Sequence, residues 1–241
     1  MPIHGFDETL ARFGLERLKV GLDLQLTKSG DIAITRDGDL QFGNRQGNAL
    51  FRFVERWRHS ESSIGELFLP MLKAGRRLIE LTSARERGEA PQLHLDPNAY
   101  HETTEAIVEA DLLSATLAGA IFVILNNLFY RLKLDLNATD DDWRVATPVI
   151  QGFSFGQITN AAAANFRHYD EWAATKSPKP TQLDSMNVLC GVLARPVQSQ
   201  HGIPTIRENI CWKVLEVITQ GSLISFHEMS FVYAKSLAKF H

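Results

Sequence analysis

The chain has 241 residues, of which 44% are hydrophobic and 22% are charged, a composition that is typical of globular proteins and excludes disordered and fibrous classes. A formal net charge of −3 at pH 7 provides no general basic field for nucleic acid. The two cysteines, Cys190 and Cys211, lie in apolar helical patterns. We expect them to be buried in a protein of a reducing compartment, since the close ligand spacing of a zinc site is missing.

The first predicted element is a small β-sheet at residues 22–43. Apolar and polar residues alternate there, and Gly30 and Gly38 fall in two turn-forming stretches, a pattern that favours a three-stranded antiparallel β-meander. The meander would form an N-terminal subdomain over residues 1–44, packed on the body of the protein. Its buried face is predicted to hold Leu24, Ile32, Ile34, Leu40 and Phe42. We see no internal repeat.

Residues 45–241 predict a mainly α-helical domain, a bundle of seven or eight helices. A first helix begins near Asn48, which is a good N-cap residue. A capping-box pattern at Ser63 and Glu66 predicts the start of a second helix, which extends to about Arg87 with a kink near Pro70.

A long central helix is predicted from an N-cap at Asp96 to about Leu134. Its middle is apolar on almost every side, which is typical of a helix surrounded by others. The apolar run from Leu112 to Leu125 is too short to span a bilayer, and the N-terminus has no apolar signal-peptide core. We therefore expect a cytoplasmic protein that does not contact a membrane. The predicted buried positions are Leu117, Ile121, Ile124 and Leu128.

Four more helices follow, with a short acidic one capped by Thr139 before them. They are expected at residues 158–176, 183–193, 205–220 and 226–240, joined by an aromatic connector at 151–156 and a polar loop at 195–204 that holds His201. Capping boxes at Thr205 and Ser225 predict the starts of the last two helices. The sequence after residue 43 contains no Gly-rich phosphate loop and no Gly-x-Ser-x-Gly elbow.

The most informative stretch is the octet at residues 165–172, where amide, cationic, acidic and aromatic side chains crowd one helix. Residues three and four apart share a helical face, so Asn165, His168, Tyr169 and Trp172 would form one stripe, with Arg167 near Asp170 and Glu171. Two interpretations remain open. The octet is either a functional site or an ordinary surface ion pair beside a His and a Trp that pack into the core. The predicted binding residues are Asn165, Tyr169, Asp170, Glu171, Trp172 and Arg207.

The octet resembles the Asn-aromatic-basic-His segment of some HEPN-like proteins, all-helical domains of bacterial defence and toxin–antitoxin systems. The resemblance implies a metal-independent ribonuclease in which His168 transfers a proton and Arg167 stabilises charge on the phosphorane. In this sequence Arg167 and His168 are adjacent, whereas the catalytic Arg and His of that family are several residues apart, so the catalytic pattern is not matched here.

A second cluster suggests a metal site, because His94, His101 and Glu105 are metal-ligating types and the last two are one helical turn apart. The competing interpretation is that acids in a first helical turn complement the helix dipole. No second Glu-x-x-His motif completes a di-iron site, so we expect no metal and no cofactor.

The hypothesis that these observations favour is a non-enzymatic, bacterial or phage-associated helical binding or assembly module. Its partner would be a protein or RNA, and it could form homo-oligomers. The alternatives are the HEPN-like ribonuclease with Arg167 and His168 as catalytic residues, and a metal-binding helical bundle.

Overall fold

The computed structural model describes residues 6–12, 16, 25–36, 38, 40–41, 45–199, 201–203 and 205–239. These parts of the chain form a mainly helical protein with eight helices and one two-stranded sheet. The elements are α1 Phe6–Arg12, α2 Arg45–Glu86, α3 Pro97–Leu136, α4 Asp140–Val145, β1 Val149–Ile150, β2 Phe153–Ser154, α5 Phe155–Ala174, α6 Pro180–Val192, α7 Cys211–Thr219 and α8 Leu223–Ala238.

The two longest helices, α2 and α3, form an antiparallel hairpin that organises the fold. Arg85 near the end of α2 bonds Tyr100 and Thr104 near the start of α3, and Arg56 bonds Asp135 near the end of α3. The start of α3 agrees with the sequence prediction, because the Asp96 carboxylate accepts a hydrogen bond from the Ala99 N–H at 3.0 Å. The remaining C-terminal helices pack around this hairpin.

The core follows the middle of α3, as the sequence predicts. Ile121 and Leu128 are buried, whereas Leu117 and Ile124 are half-buried. Phe129, the residue after Leu128, is fully buried among aromatic rings from four other helices. Packing against α2, α5 and α7 therefore makes α3 the central helix of the bundle.

Among the described residues, α3 is also long and apolar enough, by length and composition alone, to cross a membrane. The apolar run at 112–125 is too short for this by itself, but the helix that contains it has 40 residues. In its most apolar window 39% of the residues are buried. The same helix packs against α2, α5 and α7.

Two glycines allow helices to approach closely at the core. A Cβ atom added to Gly119 of α3 would lie 2.0 Å from the ring of Phe166 on α5. A Cβ atom on Gly75 of α2 would lie 2.0 Å from the Trp212 ring of α7. Both contacts are possible only because glycine has no side chain. These two positions therefore set the distance between the hairpin and the C-terminal helices.

The prediction of an N-terminal three-stranded meander is wrong: within the described residues the only regular sheet is β1–β2, in the middle of the chain. In the N-terminal segment, the parts described contain two isolated antiparallel bridges, Leu26–Ile32 and Ile34–Leu40. All four of these side chains are exposed, which contradicts the predicted burial of Ile32, Ile34 and Leu40. Leu24 and Phe42 lie outside the described residues.

The reason for the exposed side chains is a register offset of one residue. Ala33 is buried, whereas Ile32 and Ile34 beside it face solvent. Since side chains alternate along an extended chain, a shift by one position exchanges the two faces. Ala33, a small residue, therefore lies on the inner face, where Ile32 and Ile34 were predicted.

The same segment contains a structural repeat of eight residues, which the sequence analysis missed. The Gln25 N–H donates to the Gln41 carbonyl, the Gln41 N–H to the Ala33 carbonyl and the Ala33 N–H to the Gln25 carbonyl, at 2.7 to 2.8 Å. This closed set of three bonds, the backbone ring, joins positions eight residues apart. Gly30 and Gly38, with φ of 87° and 88°, make equivalent turns within it.

Four predicted helix starts also need correction. The helix α2 begins at Arg45, so Asn48 lies inside the first helix and is not its N-cap. The helix α2 is continuous through Ser63 and Pro70, so no second helix starts there. The hydroxyl of Thr205 donates to the carbonyls of Pro196 and Val197 instead of capping a helix, and α7 begins six residues later at Cys211. The last helix, α8, is capped by Ser222, three residues before the predicted Ser225.

Two other local predictions are confirmed. Thr139 caps α4 through a capping box with Asp142, and both cysteines are buried and free. Burial raises the pKa of the Cys211 thiol far above its usual range, as expected for a structural rather than a reactive cysteine.

Candidate functional site

The helix that carries the octet, α5, is positioned at both ends and along its small-residue face. Its start is the β1–β2 hairpin, where Gln151 and Gly152 make the turn and Ser154 forms a capping box with Gln157. The alanines at 161–163 are buried and let α5 pack closely on α3 and α6. The octet occupies the last two turns of this helix, beyond the alanines.

The octet divides into two buried residues and five exposed ones, with Phe166 half-buried between them. Asn165 and Trp172, seven residues apart, point to the interior. The exposed stretch runs from Arg167 to Glu171. The predicted stripe is therefore split, because His168 and Tyr169 lie in solvent while its first and last members are buried.

Asn165 fastens the segment before α7 to α5. Its Nδ2 donates to the Glu208 carbonyl at 3.1 Å, and its Oδ1 accepts from the Ile210 N–H at 2.9 Å. Asn165 is fully buried, and both polar atoms of its side chain pair with backbone groups of the segment before α7. This amide is a structural anchor.

The predicted catalytic pair lies on the open surface. The Nδ1 of His168 is 3.2 Å from Glu171 Oε1, one turn along the helix, and the His168 side chain is 48% exposed. The Nε of Arg167 donates to the Ala163 carbonyl at 3.0 Å. Exposed pairs of this kind contribute little to stability. An exposed imidazole can still exchange protons with a bound substrate.

Arg207, which was predicted as a binding residue, holds the end of α5. Its guanidinium donates to the Ala173 carbonyl through Nε at 3.2 Å and through a terminal nitrogen at 2.6 Å. Glu208 beside it interacts with Arg195 and Lys213. Arg207 and Asn165 therefore connect the same loop to α5, and sequence reasoning missed this because the contacts span 34 to 45 residues.

The proposed metal ligands are exposed near the start of α3. His94, His101 and Glu105 all face solvent, and the His101 ring lies edge-on to Tyr100 with centroids 5.7 Å apart. Across the described part of the chain, no group of three or more His, Cys, Asp or Glu side chains is arranged to hold a metal ion.

A polar cleft that sequence reasoning did not identify lies between α3, α4, α5 and α6, with a volume of about 380 Å³. Lys133 crosses it, with its Nζ 5.6 Å from the centre of the Trp143 ring and ion-paired to Asp140. The hydrogen bond from Lys133 lowers the pKa of Asp140. Asn160 and Asp184 line the opposite side. The cleft offers hydrogen-bonding groups, but its lining includes no histidine or cysteine.

Comparison with protein-family models, with curated proteins and with solved structures found no match to this chain. The resemblance to HEPN-like proteins therefore depends on residues 165–172 alone.

Two substitutions distinguish the buried from the exposed part of the octet. Asn165→Ala is expected to lower the free energy of unfolding by about 1–3 kcal/mol, because the Ile210 N–H loses its acceptor inside the protein. His168→Ala is expected to change it by less than about 0.5 kcal/mol, as for an exposed position. Urea unfolding of both variants measures the difference. Equal losses in the two variants would contradict the anchor role of Asn165.

Proposed function

We propose that the protein is a non-enzymatic helical assembly module that pairs with a second copy of itself. The observation that carries this proposal is the outer end of the α2–α3 hairpin, which extends beyond the core and exposes apolar side chains. We call this part, residues 79–109, the arm.

The arm extends because both helices continue past the last buried layer. The last buried residue of α2 is Leu78, and the first of α3 is Ala110. The helical parts beyond these positions, 79–86 and 97–109, are about 12 and 20 Å long at 1.5 Å per residue. Arg85 joins them by bonding Tyr100 and Thr104 and by lying over the Tyr100 ring.

Large apolar side chains are exposed along the arm and its base. Val108 and Leu112 of α3 are 61% and 63% exposed and lie one turn apart on one face. Ile79 of α2 is half exposed. It lies at about the same position along the hairpin axis as Val108. Contiguous exposed apolar groups of this kind are typical of interaction surfaces.

Charge supports a second copy as the partner. Residues 73–86 of α2, which include the base of the arm, contain four Lys or Arg and two Glu, whereas residues 97–113 of α3 contain four acids and no Lys or Arg. In a twofold-symmetric pair, the same surface serves both subunits. The basic residues of α2 at the base of one arm can then lie beside the acidic part of α3 of the other subunit, with the apolar side chains between them.

Sedimentation velocity over a range of protein concentrations tests the proposal. We expect a reversible dimer that Leu112→Lys weakens at least about tenfold, which corresponds to about 1.4 kcal/mol, because the substitution puts a charge in the apolar contact. Val232→Lys, at an exposed apolar position of α8, is the matched control and should leave the dimer intact. Added salt should also weaken the dimer.

Three results would contradict this function. The first is a monomer at every concentration. The second is flotation of the protein with neutral phospholipid vesicles in place of dimer formation, which would assign the apolar residues of the arm to a membrane. The third is cleavage of single-stranded RNA in EDTA that His168→Ala abolishes, which would favour the ribonuclease.

A further inference from the structure

A second cavity lies at the opposite end of the hairpin from the arm and has a volume of about 680 Å³. It is enclosed by the N-terminal segment, the first turns of α2 and the end of α3. Its volume falls within the range of about 300–1,000 Å³ that is common for small-molecule sites. We call it the arginine cavity; its lining residues used below are Arg36, Arg45, Asn48, Arg52, Asp135 and Asn137.

Among the described residues that line the arginine cavity, positive charge predominates. Three guanidinium groups, from Arg36, Arg45 and Arg52, face one carboxylate, that of Asp135. This carboxylate is already shared, at 3.2 Å from Arg52 and 2.6 Å from Arg56. Arg36 and Arg45 are exposed at the cavity. The surplus charge favours an anionic ligand.

Two buried polar atoms on the lining have no hydrogen-bond partner. They are the Nε of Arg52, which is a donor, and the Oδ1 of Asn48, which is an acceptor. Asn48 is 4% exposed. Because buried polar groups in native proteins are almost always paired, these two atoms favour a ligand that both accepts and donates hydrogen bonds.

The position of the cavity on α2 adds a further preference for an anion. The helix starts at Arg45 and has no acidic residue in its first turn. Its first N–H groups lack intrahelical acceptors, and the helix dipole is positive at this end. Helix starts of this kind bind phosphate groups.

We propose that the arginine cavity binds a phosphorylated small molecule that also carries hydroxyl groups, such as a sugar phosphate. The phosphate accepts from Arg36, Arg45 and the Nε of Arg52, with the bidentate geometry that guanidinium groups offer to phosphate. A ligand hydroxyl donates to Asn48 Oδ1. The amides of Gln25, Gln41 and Asn137 supply more hydroxyl partners, and the described lining holds no aromatic ring on which a nucleobase could stack.

Isothermal titration calorimetry of the full chain tests this inference with glucose 6-phosphate, inorganic phosphate and glucose as probes. We expect glucose 6-phosphate to bind most tightly, inorganic phosphate more weakly and glucose not at all. Arg45→Gln should weaken glucose 6-phosphate binding at least about tenfold, since a charge-assisted contact is lost. The matched control is Arg77→Gln, an exposed arginine of the same helix that pairs with Glu80, and it should bind like the unchanged protein.

The same titrations can overturn the inference. If neither glucose 6-phosphate nor inorganic phosphate binds, the site is excluded. If Arg45→Gln and Arg77→Gln lose the same affinity for glucose 6-phosphate, binding depends only on general surface charge. Equal affinity for inorganic phosphate and glucose 6-phosphate would remove the hydroxyl part of the assignment. Binding of a tetraglutamate peptide in place of the phosphates would identify a carboxylate site. Arg45 is exposed, so an unchanged melting temperature without ligand confirms that the variant is folded. Dimer formation by the arm is measured separately, so either proposal can fail alone.

Discussion

Replacing Phe129 with alanine is expected to lower the free energy of unfolding by about 3–5 kcal/mol, because it removes a large buried ring and leaves a cavity. Phe129 is fully buried in the middle of the aromatic cluster. Its ring centroid is 4.7 Å from that of Tyr233, 5.8 Å from Phe155 and 5.9 Å from Phe53. The ring thus connects α3 to α2, α5 and α8. Because the cavity left by its removal lies between four helices, movement of one side chain does not fill it.

Chemical denaturation measures this loss, and the next residue along α3 provides the control. Tyr130 is 56% exposed, so Tyr130→Ala should change the free energy of unfolding by less than about 0.5 kcal/mol. If the two variants lost the same stability, or if Phe129→Ala lost less than about 1 kcal/mol, Phe129 could not be central to the core.

The second large effect is expected for Asp135→Asn, which should cost about 3–5 kcal/mol, as when one partner of a buried ion pair is removed. The Asp135 side chain is 9% exposed, and the Arg52 guanidinium that it contacts belongs to a side chain 11% exposed. The substitution removes the carboxylate that pairs with Arg52 and leaves its guanidinium charged. The Nε of the same guanidinium already lacks a hydrogen-bond partner. Asparagine has almost the same size and shape as aspartate, so the substitution changes the charge at position 135 and not the packing.

A surface pair provides the comparison for this prediction. Glu80→Gln removes the partner of Arg77, where both side chains are more than half exposed, and should cost less than about 1 kcal/mol. Urea unfolding at neutral pH compares the two variants. A loss for Asp135→Asn as small as that for Glu80→Gln would mean that water reaches the Arg52–Asp135 contact.

Features encoded by neighbouring residues were predictable from the sequence. The Asp96 and Thr139 caps depend on side chains that reach backbone groups three residues away, and the periodic apolar residues of α3 identify the central helix. One of the predictions that failed depends on distant contacts. Thr205 has the residues of a cap, yet its hydroxyl bonds carbonyls eight and nine residues upstream, and no local pattern specifies that choice.

The N-terminal segment shows why alternation alone does not identify the buried face. The sequence predicts burial for the apolar residues on one set of positions. The structure instead buries Ala33 of the other set, whose backbone bonds both Gln25 and Gln41. Tertiary packing thus overrides a preference that depends on side-chain hydrophobicity.

The polar residues of the octet at 165–172 could be identified from the sequence, but their contacts could not. Asn165 and Arg207 bind backbone groups of the protein itself. The cavities were missed because their lining comes from three or four separate elements. A single sequence shows which residue types could line such a cavity, but it does not show which distant residues the fold brings together.

The backbone ring makes the N-terminal segment sensitive to length and tolerant of composition. Each of its three bonds joins residues separated by a multiple of eight, and the side chains between them, such as Leu26 and Ile34, are exposed. Replacing those side chains leaves every bond possible. Adding or deleting one residue in either turn moves an inward position outward and puts a donor opposite the wrong carbonyl. Related chains should therefore vary freely in the identity of these residues and change the spacing only in whole units of the repeat.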